Sequence, residues 1–182
     1  LVWTAFRADD GGLYDLARDR GGEGFLNQRL KPVQDAPTPS GTGVAALVFA
    51  RLAEHTALAW YRDRLQELLS SVGAGLAELS LHGATLLRAA DWLLHPATHV
   101  VVIGAPDDPQ ALALAAVARR AYRPRKVVTR LPPNAGAAQL PGPLRAQAGG
   151  ASPRAYVCSG PQCAPPATLP GELAATLTSF AA

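Results

Sequence analysis

The hydrophobic period of this chain changes twice between His99 and Leu131, and that double change restricts its possible folds more than any other feature. "HVVVIG" (99–104) is a short continuous apolar run. "DPQALALAAVARRAY" (108–122) has helical spacing, with Asp108 ahead of it and Pro109 in its first turn. "KVVTRL" (126–131) is apolar and β-branched again. A strand, a helix of crossover length and a second strand imply parallel pairing and a right-handed connection. A Pro-, Gly- and Ala-rich linker from Pro132 to Pro153 leads to a third expected strand, "RAYVC" (154–158). The chain then ends in a short helix near Gly171 to Phe180. Gly104, at a strand end just before a helix, has the placement of a phosphate cradle. The further glycines of a dinucleotide fingerprint are missing, so a plain strand-to-helix turn is expected.

Ahead of that unit the period is helical. In "DAPTPSGTGVAALVFARLAEHT" (35–56), prolines, a serine and glycines precede an apolar run, about Gly43 to Glu54, that lacks a clean polar face. Such a helix belongs inside other helices, with Ser40 or Thr42 as its cap and its amide donors open toward a cavity. "LAWYRDRLQELLSSV" (58–72) alternates Leu58, Tyr61, Leu65, Leu68 and Val72 with charged residues and reads as an amphipathic outer helix. "LAELSLHGATLLRAADWLL" (76–94) reads as a third, mostly buried helix. Residues of about 7–42 form a long loop around Gly-Gly, of the length typical of lids and binding loops. The chain is therefore expected to be mainly α with a small α/β element. Residues 1–96 hold the helical hairpins and the long loop, and 97–182 the α/β element packed with the C-terminal helix as one unit.

The 182 residues, 48% of them hydrophobic, suffice for a real core. The net charge of +3 comes from scattered basic residues. The one tight cluster, "RRAYRPRK" (119–126), has a single tyrosine, Tyr122, which falls short of an aromatic-interleaved platform, and reads as a solvated helix terminus, not a nucleic-acid surface. No run of 18 or more uncharged apolar residues and no signal-peptide pattern occurs, so the chain is expected to be cytoplasmic and without a membrane span. It contains no methionine, so it reads as the downstream part of a longer product.

The stretches "GGLYD" (11–15), "RLKPVQDAPTPSGTGVAALVFARLA" (29–53), "AADWLL" (89–94), "THVVVIG" (98–104) and "AYVCSGPQCAPPATLPGEL" (155–173) together carry a resemblance. In order and approximate spacing the chain resembles the C-terminal half of the bacterial YyaL proteins and their animal relatives, the spermatogenesis-associated thioredoxin-domain proteins. Pro39, Ser40, Gly41, Val44, Ala45 and Ala46 fit the family's Pro-Ser-Gly-Asn-Ser stretch leading to Val-Ala-Ala, whereas Thr42 and Gly43 depart from it. The resemblance implies an upstream thioredoxin-like domain and, here, the terminal hairpins of an (α/α) toroid of the six-hairpin glycosidase or epimerase kind. It also implies a cavity lined by the loop from Tyr14 to Thr42.

On that reading Tyr14, Asp15, Asp35, Ser40 and Thr42 are the substrate-binding residues, the ligand is a carbohydrate or another small molecule, and no cofactor or metal is implied. No catalytic residue can be assigned. Asp35 serves as readily in an Asx-turn or cap, and Asp91 as an anchor paired to Arg88 or to backbone. His82 suits a core or cavity-wall role better than that of a general base, and the spacing of His82, His95 and His99 does not converge on a metal. Cys158 and Cys163, four residues apart in "CSGPQC", fit neither Cys-x-x-Cys nor a zinc half-site, and read as reduced thiols in a turn more readily than as a disulfide or metal site. Three functions remain open. They are a sugar-binding or sugar-modifying toroid, a non-catalytic scaffold for the thioredoxin-like domain, and a redox role for the cysteines.

Overall fold

The computed structural model describes residues 2–20, 28–73, 75–135 and 153–180. The fold is mixed α/β, mostly helical with one small sheet, and divides into two compact units, Leu1–His95 and Pro96–Ala182. Among the described residues no helix is long and apolar enough to cross a membrane.

The first unit contains α1 (Val2–Phe6), α2 (Gly41–Thr56), α3 (Ala59–Val72), α4 (Gly75–Glu78), a 3-10 turn (Ser80–Gly83) and α5 (Ala84–Leu94). Ser40 caps α2 through its side chain, and Ala57 closes it in the left-handed region with φ 56°. Helix α2 buries Thr42, Gly43, Ala46, Phe49 and Ala50, whereas α3 buries only Leu65 and Leu68, the order expected from their polar faces. Burial of α2 is nevertheless one-sided, because Val44 and Val48 stand exposed on it. The expected third helix is broken. Ser80 adopts φ 49°, and the carbonyl of His82, which a continuous helix would bond internally, accepts instead from the Asp35 amide at 2.7 Å.

Helices α2 and α5 start at the same end. Gly43 in the first turn of α2 faces Thr85, so closely that a Cβ on Gly43 would lie 2.9 Å from Thr85 Cγ2. At the other end Arg62, near the start of α3, donates to the Leu93 carbonyl of α5. Helix α3 therefore runs back against both. The short α1, which the period of so few residues did not reveal, places Trp3 edge-on to Phe49 and Trp60. In the long loop an isolated bridge pairs Arg7 with Leu13, and residues 21–27, around the central Gly-Gly, lie outside the described residues.

The second unit is a four-stranded sheet in the order β2-β1-β3-β4, with β1 at Thr98–Ile103, β2 at Lys126–Leu131, β3 at Arg154–Ser159 and β4 at Gln162–Cys163. Strands β1 and β2 are parallel, in register from Thr98–Lys126 to Ile103–Leu131, as a helical crossover requires. Strand β3 returns antiparallel on the other side of β1, and β4 hairpins onto it. Helices α6 (Pro109–Arg120) and α7 (Pro170–Ser179) cover one face, where Leu114, Ala118, Leu173 and Leu177 meet Val100, Val102, Ala155 and Val157. On the opposite face Val101, Ile103, Tyr156 and Cys158 form a second buried cluster.

The turn into α6 is filled by the protein's own groups. Asp108 caps the helix by accepting from the Gln110 and Ala111 amides, so a carboxylate occupies the place a phosphate would take. Gly104 is required because a Cβ there would sit 2.6 Å from Ala111 Cβ. The basic cluster is partly turned inward. Lys126 donates to the carbonyls of Arg119 and Ala121 at the end of α6, and Arg123 to those of Leu177 and Phe180 at the end of α7. Burial pushes the Lys126 ammonium below its ordinary pKa.

Candidate functional site

The head of α2 is where the sequence concentrates its candidates, and there the side chains bond chiefly to backbone. Ser40 is buried, and its Oγ accepts from the Gly43 amide at 3.1 Å. Asp35 uses both carboxylate oxygens: Oδ1 accepts from the Ser40 amide and Oδ2 from the Thr85 amide, each at 2.8 Å. Its own amide and carbonyl meet His82, through the His82 carbonyl and the Nδ1 of the ring at 3.1 Å. One residue of the loop thus ties the head of α2 to the head of α5. Burial acts to raise the Asp35 pKa, but the hydrogen bonds from Ser40 and Thr85 outweigh it and hold the carboxyl below the usual range.

Thr42 lies one residue into α2 and is 2% exposed, with no hydrogen-bond partner for Oγ1 among the described residues. The neighbouring Gly43 leaves room for Thr85 where a side chain would collide. Thr42 and Gly43 are thus both buried at the head of α2.

Tyr14 and Asp15 belong to a different bonding set. The Asp15 amide donates to the Leu30 carbonyl, and Asp15 Oδ1 accepts in return from the Leu30 amide, each at 2.9 Å. Tyr14 lies under the Arg29 guanidinium, 3.9 Å from the ring centroid, and under Lys31 at 5.4 Å. Lys31 is also paired with Asp10. These contacts fold the loop onto itself.

The remaining candidates move from their expected places. Asp91 pairs with His95 one turn on at 2.9 Å. Cys158 and Cys163 are not free thiols: they form a disulfide. The reason is the hairpin. Gly160, with φ 52°, and Pro161 form its two-residue loop, Ser159 pairs with Gln162, and Cys158 then faces Cys163 with Cα atoms 4.1 Å apart. A four-residue gap is what a two-residue loop flanked by one residue pair produces, and this signal was present in "CSGPQC". Among the described residues no three His, Cys, Asp or Glu side chains are grouped to hold a metal.

An aromatic cluster escaped the sequence reading because its members are far apart in the chain. Trp3, Phe49, Trp60 and Tyr61 stack edge-on or tilted with centroids 5.1–6.5 Å apart. Arg64 stands over both Trp3 and Trp60, Arg7 over Trp3, and Glu67 pairs with Arg7 at 2.8 Å and Arg64 at 3.0 Å. Trp60 remains 48% exposed. Compared with models of known protein families the chain matches none, and no curated protein or solved structure matches it either.

Proposed function

We propose that the helical unit is a non-catalytic scaffold for the upstream thioredoxin-like module that the family resemblance implies, and that the head of α2 is a joint between helices. One observation carries this reading: both oxygens of Asp35, the best-placed carboxylate, are bonded to backbone amides of Ser40 and Thr85. A general acid or base needs an oxygen directed at substrate. The common starting end of α2 and α5 supports the terminal hairpins of an (α/α) toroid, in which inner helices run side by side. A cytoplasmic location belongs to the same proposal.

A sugar-binding reading has one observation in its favour, the half-exposed indole of Trp60 beside Arg64, since an aromatic face next to a fixed cation suits a carbohydrate. The two readings separate in a thermal-shift series of the chain against neutral, amino and acidic monosaccharides. A scaffold gives no shift. A sugar present at about 100 times its dissociation constant adds about 2.7 kcal/mol of stability. A clear rise in Tm that Trp60→Ala abolishes would establish the second reading.

A further inference from the structure

We propose that the Cys158–Cys163 disulfide is a thiol–disulfide exchange site for a dithiol reductant, with Cys163 as the sulfur attacked, Cys158 as the leaving thiolate and His99 beside it as hydrogen-bond donor. The two sulfurs are unequally placed. Cys158 is in the buried cluster on one sheet face and is 2% exposed, whereas Cys163 is half-buried on the two-residue edge strand β4. An external thiolate therefore has access to one sulfur in preference to the other.

The hairpin does not depend on the covalent bond. Beyond the Ser159–Gln162 pair, the Ala164 amide donates to the Val157 carbonyl at 2.9 Å, and Ala155 and Ala167 exchange bonds at 2.8 and 2.9 Å. These bonds hold the strand and the segment after it against β3 whether the sulfurs are joined or not. The register of β1 and β3 sets His99 directly opposite Cys158, and residues so paired project from the same face. A donor is thus beside the sulfur on which charge develops.

The exchange balances as follows. A thiolate of the reductant bonds to Cys163 Sγ, the Cys158–Cys163 bond breaks, and its electron pair leaves on Cys158 Sγ. The second thiol of the reductant loses its proton and attacks the reductant sulfur of the mixed disulfide, closing the reductant's own disulfide and releasing Cys163 as thiolate. Two electrons pass from the dithiol to the protein, and the two protons given up by the dithiol end on Cys158 and Cys163.

The test uses the full chain under native conditions, with dithiothreitol or reduced thioredoxin as the dithiol, alkylation and mass measurement as the readout, and circular dichroism alongside. At about 1 mM dithiol both cysteines should become alkylated within minutes while the dichroism spectrum is unchanged. Faster reduction by the protein dithiol identifies a protein source, and faster reduction by dithiothreitol a small-molecule one. Resistance until denaturant is added, or reduction accompanied by loss of the sheet, overturns the proposal. In Cys158→Ser, Cys163 should react with glutathione disulfide at least about tenfold faster than Cys158 does in Cys163→Ser, and equal or reversed rates also overturn it. His99→Val should slow reduction of the intact disulfide about three- to tenfold, with His99→Gln recovering part of the rate. An unchanged rate in His99→Val removes His99 from the site.

Discussion

Asp35 joins the heads of α2 and α5 through one side chain. Replacing it with Ala leaves two amides without their acceptor and should cost about 2 kcal/mol, and Asn, which keeps one acceptor oxygen, about 1 kcal/mol, measured by denaturant unfolding. The pH dependence has a definite sign. The folded pKa lies below the unfolded one, so this contribution is present above the unfolded value, near 4, and is lost as pH falls through the folded value. The gap in Tm between the chain and its Ala variant should accordingly narrow under acid conditions. A capping role for Asp35 was legible from "DAPTPS", because Asx-turns and caps are local. Its second partner, Thr85, lies 50 residues away and no local pattern announces it. The cysteines show the opposite case, a local signal weighed against the wrong templates. Replacing both with Ser removes closure of a loop of about six residues and should lower stability by about 2 kcal/mol without loss of the fold.

At the scale of elements, backbone approach sets what the connections tolerate. Gly104→Ala should destabilise by about 2 kcal/mol, because the new Cβ would overlap Ala111 Cβ and force β1 and α6 apart. Gly41→Ala is the matched control: nothing lies within 4 Å of an added Cβ in the first turn of α2, so a neutral change or a gain of about 0.5–1 kcal/mol is expected by the same measurement. The βαβ element was readable because its period, its Asp108 cap and its Pro109 start are all written within a few residues. The break at Ser80–Gly83 was not, since it is made by a distant loop residue taking the His82 carbonyl. Helix α1 was missed for a related reason. Five residues cannot show a period, and its anchor, Trp3, is held by Phe49 and Trp60 from other elements.

For the molecule as a whole, each unit carries a core of its own. Pro96–Ala182 expressed alone should therefore show a cooperative thermal transition by circular dichroism, since α6 and α7 already seal one face of its sheet. The site is harder to read than the fold. Tyr14 and Asp15 on one side, and Asp35, Ser40 and Thr42 on the other, share a loop in sequence but not a bonding set in space. A loop's residue types suggest polar work without showing whether backbone or ligand receives it. The common starting end of α2 and α5 has an electrostatic consequence. Each helix begins with roughly half a positive charge. Two such poles side by side repel, and the carboxylate of Asp35 lies at their junction, opposing both at once. Asparagine would keep the shape and leave that repulsion standing. The stability lost in Asp35→Asn should then be larger in dilute buffer than in about 1 M salt, where the Debye length falls to about 3 Å, and equal losses at both would show that the charge itself contributes nothing.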